Sequence, residues 1–417
     1  MKKLLVLLLI VCMLVPAAFA ESEKKTVTVW CWDPAFNIYA MQEAAKIYET
    51  INPDVEIVIE EVSSDDTQTL MITAFQAGDY SATPDIVLMQ DNSGQEFLTL
   101  YPTEFVALDD YINYDDFAAY KVSNFEKDGK HYAVPFDNGA AAWFYRTDVL
   151  GEAGYTAEDL TDITWDRLIE IGLDVKAKTG KYLLATNGYG DFVMMMTQSM
   201  GMWFFDEDGD PQLDDEVFEE ILAQCVRLVQ SGCVELQADW NSYIASFNSG
   251  NSVGTINGCW IMASVVLAED QSGKWGMTCL PHLNLEGASN YSNQGGSSWL
   301  VLSSSDVQAE AIDFLAKTFA GSVELYNTIL PTSSAITTYL PASGAENYEM
   351  EHPFFGGQKV FADLVDYASK VPAVDYGVYN YDARDAMSAA MENVINGMDI
   401  EDALETAQET VEQLMQD

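Results

Sequence analysis

The chain has 417 residues, of which 48% are hydrophobic, so it is long enough and apolar enough for two domains with full cores. Its formal net charge at pH 7 is −47. This excess of carboxylates excludes binding to nucleic acids and charge-driven binding to anionic membrane surfaces, because both depend on Lys and Arg. A solvated acidic surface is the simplest interpretation of the charge.

The N-terminus, residues 1–20, predicts a cleavable export signal. Two lysines precede an apolar run over 4–15, and residues 18–20 fit the small-x-small pattern before a cleavage site. No later run of about 18 apolar residues follows. We therefore predict an exported, periplasmic protein that begins near Glu21. Lipidation of Cys12, with the protein anchored outside the cell, is the alternative.

The first elements of the chain alternate in the manner of a β-α-β unit. Residues 26–30 and 55–59 predict strands, and between them apolar residues recur at helical spacing from Asn37 onward. A second helix over 66–77 precedes a strand over 84–89. This order predicts parallel pairing with a right-handed crossover. In such α/β sheets, ligands bind beyond the carboxyl ends of the strands.

The middle of the chain holds two apolar runs with a polar interruption. Residues 132–136 and 140–145 each predict a buried strand, and Asp137-Asn138-Gly139 separates them. No low-complexity linker is present, so any division into domains must be made by chain crossings. The later predicted helices lie at 165–178, 215–230, 309–320 and 383–395, with a last amphipathic one opening at Asp399.

Nine short motifs follow one another over nearly the whole length after the export signal. They are Val27-Thr28-Val29-Trp30, Pro84-Asp85-Ile86-Val87, the heptapeptides at 129–135 and 144–150, Thr164-Trp165, Phe247-Asn248-Ser249-Gly250, Gly258-Cys259-Trp260, Gly295-Gly296, and Gly397 with Glu401-Asp402-Ala403-Leu404. In this order they resemble the extracellular solute-binding proteins of bacterial ABC importers, in the sugar-binding family that includes maltose-binding protein.

The resemblance implies an α/β, two-lobe periplasmic-binding-protein fold, with a hinge of crossing segments and a ligand cleft between the lobes. After the export signal predicted at 1–20, it implies a first lobe at 21–136 plus about 297–331, and a second lobe at 137–296 plus about 332–417. Asp137-Asn138-Gly139 would be one crossing, exposed at the cleft floor, with Gly139 easing a bend. The other crossings are expected near 295–299 and 330–334.

The function implied by the resemblance is that of the substrate-binding subunit of an ABC importer. Such a subunit is a monomer that captures a sugar or oligosaccharide by hinge closure and delivers it to the permease in the membrane. The resemblance implies no cofactor, no metal and no catalytic residue. Relatives that bind maltodextrins have an acidic residue and a Trp where this chain has Gly139 and Met89, so the particular sugar stays open.

A cleft for a neutral sugar needs carboxylates and amides for the hydroxyl groups and flat aromatic rings for the C–H faces. The candidates stand at predicted strand ends, crossings and loops. Tyr379 is chosen over its neighbours Tyr376 and Tyr381. The predicted ligand-binding residues are Trp32, Asp33, Gln90, Asp91, Asn92, Asp137, Asn138, Trp203, Trp240, Trp260, Gly296, Ser297 and Tyr379.

Two other functions fit parts of the pattern. The first is a binding protein of the same fold with a cationic ligand such as a polyamine, because carboxylates and aromatic rings also suit an ammonium group. The second is a glycosidase. Such an enzyme needs two carboxylates that flank the scissile glycosidic bond, and the sequence singles out no such pair of acidic residues. The acidic run 206–210 lacks the Gly and Glu that an EF-hand requires, and the five cysteines after residue 20 match no zinc pattern.

Overall fold

A computed structural model describes residues 24–206 and 208–416. The predicted signal peptide, Cys12 and the predicted start near Glu21 lie outside these residues. The strands of the described part are β1 (Lys25–Cys31), β2 (Val55–Glu61), β3 (Ile86–Gln90), β4 (Glu126–Lys127), β5 (Lys130–His131), β6 (Ala133–Arg146), β7 (Tyr182–Thr186), β8 (Val234–Leu236), β9 (Ser252–Gly258), β10 (Trp275–Thr278) and β11 (Asn293–Val301).

The helices confirm the predicted helices to within a few residues. Their ends could be predicted because capping residues mark them in the sequence. Thr164 accepts from the backbone N–H of Arg167, Asp399 accepts from that of Glu401, and Gly180 ends its helix in the left-handed conformation. The helices are α1 (Asn37–Ile51), α2 (Ser64–Ala77), α3 (Gly94–Leu100), α4 (Ala119–Val122), α5 (Thr147–Ala153), α6 (Trp165–Thr179), α7 (Gly190–Ser199), α8 (Glu216–Gln230), α9 (Trp240–Asn248), α10 (Met262–Val265), α11 (Gln308–Lys317), α12 (Val323–Ser333), α13 (Val360–Ala368), α14 (Asn380–Ile395) and α15 (Ile400–Leu414).

One mixed sheet runs through the molecule in the order β2-β1-β3-β11-β6-β9-β7-β8, with β10 also paired to β6. The predicted β-α-β unit is confirmed, because β1 pairs in parallel with both β2 and β3. Strand β6 belongs to both halves of the sheet. Its first part pairs with β11, and its second part pairs with β9 and β10.

Two sets of apolar clusters cover this sheet and define two α/β lobes. In the first lobe, β1 to β3 and β11 pack against α1, α11 and α12, around residues such as Tyr48 and Trp299. In the second lobe, β7 to β10 pack against α5 to α9 and α13 to α15, around residues such as Trp143 and Trp165. The two-lobe α/β fold is therefore observed, whereas the lobe boundaries given above stay a prediction.

The crossing at Asp137-Asn138-Gly139 differs from its prediction. Residues 133–146 form one continuous strand, and Asp137 and Asn138 are only 1% and 2% exposed. They are buried because β11 pairs along one side, while on the other side the N–H of Asn138 donates to the carbonyl of Ile336 at 3.1 Å. Three chain segments thus pass between the lobes side by side.

Gly139 also has a different role from the predicted bend. Its φ is not in the left-handed region, but a Cβ there would clash with the carbonyl oxygens of Gln294 and Gly295, the latter at 2.7 Å. The absence of a side chain at Gly139 therefore allows β6 and β11 to approach closely.

Two further groups of side chains that the sequence singled out are the cysteines and the acidic residues near Asp206. All five cysteines of the described part (Cys31, Cys225, Cys233, Cys259, Cys279) are free and buried. The Asp206 carboxylate accepts from the backbone N–H groups of Asp208 and Asp210, as in a surface turn. Among residues 24–206 and 208–416 no group of acidic, His and Cys side chains is arranged to hold a metal, and no helix could cross a membrane.

Candidate functional site

A cavity of about 320 Å³, here called the main cavity, lies between the lobes beside the crossing segments. The loop after β1, the start of α1 and the end of β3 supply its first-lobe wall, and α9 and the loop after β9 supply the opposite wall. Eight of the thirteen predicted residues line it. The lining residues are Trp32, Asp33, Phe36, Asn37, Gln90, Asp137, Trp240, Trp260, Gly295, Gly296 and Ser297.

A smaller cavity of about 120 Å³, the side cavity, adjoins the main one and shares Gln90, Trp260 and Gly295 with it. It adds two more predicted residues, Asn92 and Trp203. Sequence reasoning missed its other members, which come from segments far apart in the chain and carry no motif. They are Met194, Gln198, Asn293, Gln294, Tyr376 and Arg384.

Two tryptophans form an aromatic wall of the main cavity. The ring centroids of Trp240 and Trp260 are 5.7 Å apart, with 34° between the ring planes. Trp240 is 41% exposed, and Trp260 is fixed because its Nε1 donates to the carbonyl of Gln294 at 2.9 Å. A Cβ at Gly258 would clash with the Trp260 ring, so the glycine allows the ring to lie there. Flat rings held in this way suit the C–H face of a sugar.

The opposite wall is positioned by Asn37, which the sequence analysis missed. This amide is 1% exposed, and its Oδ1 accepts from the backbone N–H groups of Trp32 and Asp33, both at 3.0 Å. It thereby fixes the loop after β1 and presents Trp32 and Asp33 to the cavity. The local signal for this role was an Asn at the start of a helix, close after a strand.

Asp137 provides a buried carboxylate at the cavity floor. Its Oδ1 accepts from the backbone N–H of Ser297 at 2.9 Å and from the Ser297 hydroxyl at 2.5 Å. Burial raises the pKa of Asp137 to about 6, and the nearby Lys121 ammonium and the Ser297 hydrogen bonds oppose this shift. The group can therefore change its charge near neutral pH.

Asp91 lies outside both cavities, contrary to its predicted role. Its side chain is 2% exposed and forms an ion pair with Lys121, whose side chain is fully buried, while the Ser298 hydroxyl donates to Asp91 Oδ1 at 2.8 Å. Burial raises the pKa of Asp91 and the Lys121 ammonium opposes the rise. A Cβ at Gly296 would lie 2.7 Å from Asp91 Oδ2 and 2.8 Å from Lys121 Nζ, so the ion pair requires this glycine.

Asn138 and Tyr379 also lie outside the two cavities. Consecutive residues of a strand face opposite sides of the sheet, so Asn138 lines a different cavity of about 370 Å³ while Asp137 lines the main one. Tyr379 lines a separate groove with Gln95 and Asp206. The aromatic residue that this segment contributes to the side cavity is Tyr376.

Trp203 lies at the side cavity but is only 5% exposed. Its ring packs edge-on against Tyr376, with centroids 4.8 Å apart and 81° between the planes. Its Nε1 donates to the Oδ1 of Asn380 at 2.8 Å. Trp203 is therefore held as part of the cavity wall, and little of its ring is open to a ligand.

These features define a two-lobe ligand-binding protein. It has two lobes, three crossing segments and a polar cavity lined by tryptophans between the lobes. Residues 43–347 match the family described as bacterial extracellular solute-binding protein, and the chain belongs to this family. The predicted family is thereby confirmed. Members of the family bind and transport solutes, so the chain is a binding protein and not an enzyme, and the glycosidase alternative is set aside.

Similar proteins extend over nearly the whole chain. The lactose-binding protein of Rhizobium radiobacter is 38% identical over 395 residues, which are 94% of this chain and 93% of that protein. The arabinooligosaccharide-binding protein of Halalkalibacterium halodurans is 27% identical over 87% of this chain and 83% of that protein. The crystal structure of the GacH receptor of Streptomyces glaucescens GLA.O superimposes with a TM-score of 0.79 over 94% of this chain and 99% of that one, at 19% identity.

Proposed function

We propose that this protein captures a saccharide in the main and side cavities and delivers it to the membrane permease of an ABC importer. The observation that carries the proposal is the composition of the main cavity. Trp32, Trp240 and Trp260 offer ring faces, while Asp33, Asp137, Gln90 and Asn37 offer groups for hydroxyls. The predicted signal peptide supports export to a periplasm, where the protein acts as a monomer without a cofactor.

The substrate class that we propose is a galactose-containing disaccharide, with lactose as the probe. The relative that is 38% identical over almost the whole chain is named for lactose binding, which supports this choice. The side cavity, joined to the main one through Gln90, Trp260 and Gly295, supports a ligand with more than one ring. Its lining is more polar, with five side-chain amides and Arg384, which suits a second ring that is bound mainly through its hydroxyl groups.

A thermal-shift titration of the ligand-free protein tests the proposal. Lactose, other galactosides, maltose, arabinooligosaccharides and spermidine are compared at low and high salt. A ligand at 100 times its Kd stabilises the native state by about 2.7 kcal/mol, a change that is visible in the Tm. Stabilisation by a saccharide that does not change with salt supports the proposal. Stabilisation by spermidine alone, weakening with salt, would favour the cationic ligand.

Replacement of a cavity tryptophan ties binding to the proposed site. Because Trp240 is 41% exposed, Trp240→Ala removes ring contact with a ligand at little cost to the folded protein. We expect a loss of roughly 1 to 2 kcal/mol, or about five- to thirtyfold in Kd, in isothermal titration. Tyr111→Ala is the matched control, since Tyr111 is 59% exposed and lines neither cavity. Equal affinities of the two variants would remove the main cavity from the proposal.

A further inference from the structure

Hydrogen bonds cross the cleft from the second lobe to the first beside the two cavities. The hydroxyl of Tyr381, in the first turn of α14, lies 2.9 Å from Gln90 Oε1 and 2.9 Å from Asn92 Oδ1. Gln90 ends β3 in the first lobe, while α14 packs against α7, α8 and α15 in the second. The hydroxyl has one hydrogen, so it donates to one of these amide oxygens at a time.

Asn380 makes a second connection at the same place. Its side chain is buried, with Oδ1 accepting from Trp203 Nε1 at 2.8 Å and Nδ2 donating to the carbonyl of Asn92 at 3.1 Å. Asn92 is therefore held both at its backbone and at its side chain by residues of the other lobe. The Asn380 side chain thus uses its oxygen for Trp203 and its nitrogen for Asn92, and it joins these two residues.

These two residues of α14 support the cavities from outside. Neither Asn380 nor Tyr381 lines the main or the side cavity, whereas Gln90 lines both and Asn92 lines the side cavity. The Tyr381 ring is placed by the Arg384 guanidinium, which lies 4.9 Å from its centroid. Burial raises the pKa of the Tyr381 hydroxyl, which remains a donor at neutral pH.

We infer that Tyr381 and Asn380 form an interlobe latch that sets ligand affinity without touching the ligand. The inference rests on the proposed function. Opening the cleft separates the lobes and breaks these bonds, so they stabilise the closed form alone. A contact made only in the closed conformation shifts the equilibrium toward that conformation, so the closed complex reopens and releases its ligand more slowly and the apparent Kd falls. The latch also orients Gln90, the one amide that faces both cavities.

The experiment compares Tyr381→Phe with Tyr379→Phe. Tyr381→Phe keeps the ring over Arg384 and removes the hydroxyl, while Tyr379 belongs to the same segment but lies in the separate groove. Lactose binding is measured by isothermal titration and stopped-flow fluorescence, and unfolding of the ligand-free proteins by urea. For Tyr381→Phe we expect a Kd about five- to tenfold higher through faster dissociation, with an unchanged association rate. Tyr379→Phe should stay within about twofold of the wild type.

Several results would overturn the latch. One is an unchanged Kd of Tyr381→Phe for lactose, and a lower urea midpoint beside it would mean a purely structural role. Another is an equal loss of lactose affinity in Tyr379→Phe. If the wild type binds no saccharide, the proposed function fails. Small-angle X-ray scattering of the ligand-free proteins then tests separately whether Tyr381 holds the lobes closed. A larger radius of gyration for Tyr381→Phe than for the wild type then supports the latch, and equal radii refute it.

Discussion

The buried ion pair between Lys121 and Asp91 offers a direct test of what supports the cleft floor. Lys121→Met keeps an unbranched apolar stem but removes the ammonium, which leaves the Asp91 carboxylate buried beside Ser298 and Gly296. Breaking a buried pair from one side costs about 3 to 5 kcal/mol, because the remaining charge is uncompensated. We expect this loss in the free energy of unfolding, which is a large part of the stability of an ordinary domain.

The double variant Asp91→Asn/Lys121→Met separates the two causes of that loss. A neutral amide can still accept from the Ser298 hydroxyl and carries no charge that needs a partner, so we expect most of the stability to return. The assay is urea unfolding at pH 7, followed by tryptophan fluorescence and circular dichroism together. A double variant as unstable as Lys121→Met, or a loss below about 1 kcal/mol in the single variant, would refute the reasoning.

The pH dependence of Lys121→Met gives an independent check. Burial already raises the pKa of Asp91 in the folded state, and loss of the opposing ammonium must raise it further. A carboxyl whose pKa is higher in the folded state than in the unfolded state begins to destabilise the protein as the pH rises above its unfolded pKa. The effect is complete above the folded pKa and vanishes as the pH falls toward about 4. The difference from wild type should therefore shrink in acid.

Two further predictions concern the strand that both lobes share. The pKa of Asp137, about 6, exceeds the usual unfolded value of about 3.9, so this carboxyl alone should lower the stability of the wild type by up to about 3 kcal/mol as the pH rises from about 4 to about 6. Asp137→Asn should lack this loss in urea titrations at several pH values, and parallel profiles would contradict the assignment. Gly139→Ala should destabilise by about 1 to 3 kcal/mol in urea, because its Cβ meets β11. Gly151→Ala in α5, with no atom within 4 Å of the new Cβ, should be neutral or slightly stabilising, and equal effects of the two would refute the close-packing argument.

Much of the fold could be predicted because its signals are local. The alternation of β1, the helical spacing of α1 and the caps Thr164 and Asp399 lie within a few residues of the elements they specify. The site residues at strand ends could be predicted for a related reason. Trp32 and Gln90 stand at the carboxyl ends of parallel strands, and that edge of a sheet is the one that opens to a ligand.

The errors fall where a residue's surroundings come from distant parts of the chain. Asp91 and Asp137 have similar local settings, and only Lys121, brought in by α4, decides that Asp91 is an internal ion-pair partner. Asn138 is directed away from the main cavity by the register of β6 against β11, which no pattern in residues 132–145 reveals. Tyr376 and Tyr379 lie in a segment without regular spacing, so periodicity could not choose between them.

The burial of Asp137 and Asn138 changes how the hinge must work. A crossing that is one continuous strand, paired on both sides, cannot serve as a flexible tether, because bending it would break its ladder of hydrogen bonds. The other crossings do depart from regular geometry, at Gly295 and Gly296 with φ of +77° and +103° and at Ser334 with φ of +56°. We expect the lobes to rotate about these points while β6 keeps its pairing. Since Gly295 and Gly296 also line the main cavity, a ligand there contacts the pivot itself, and occupancy and hinge angle are coupled at the same residues.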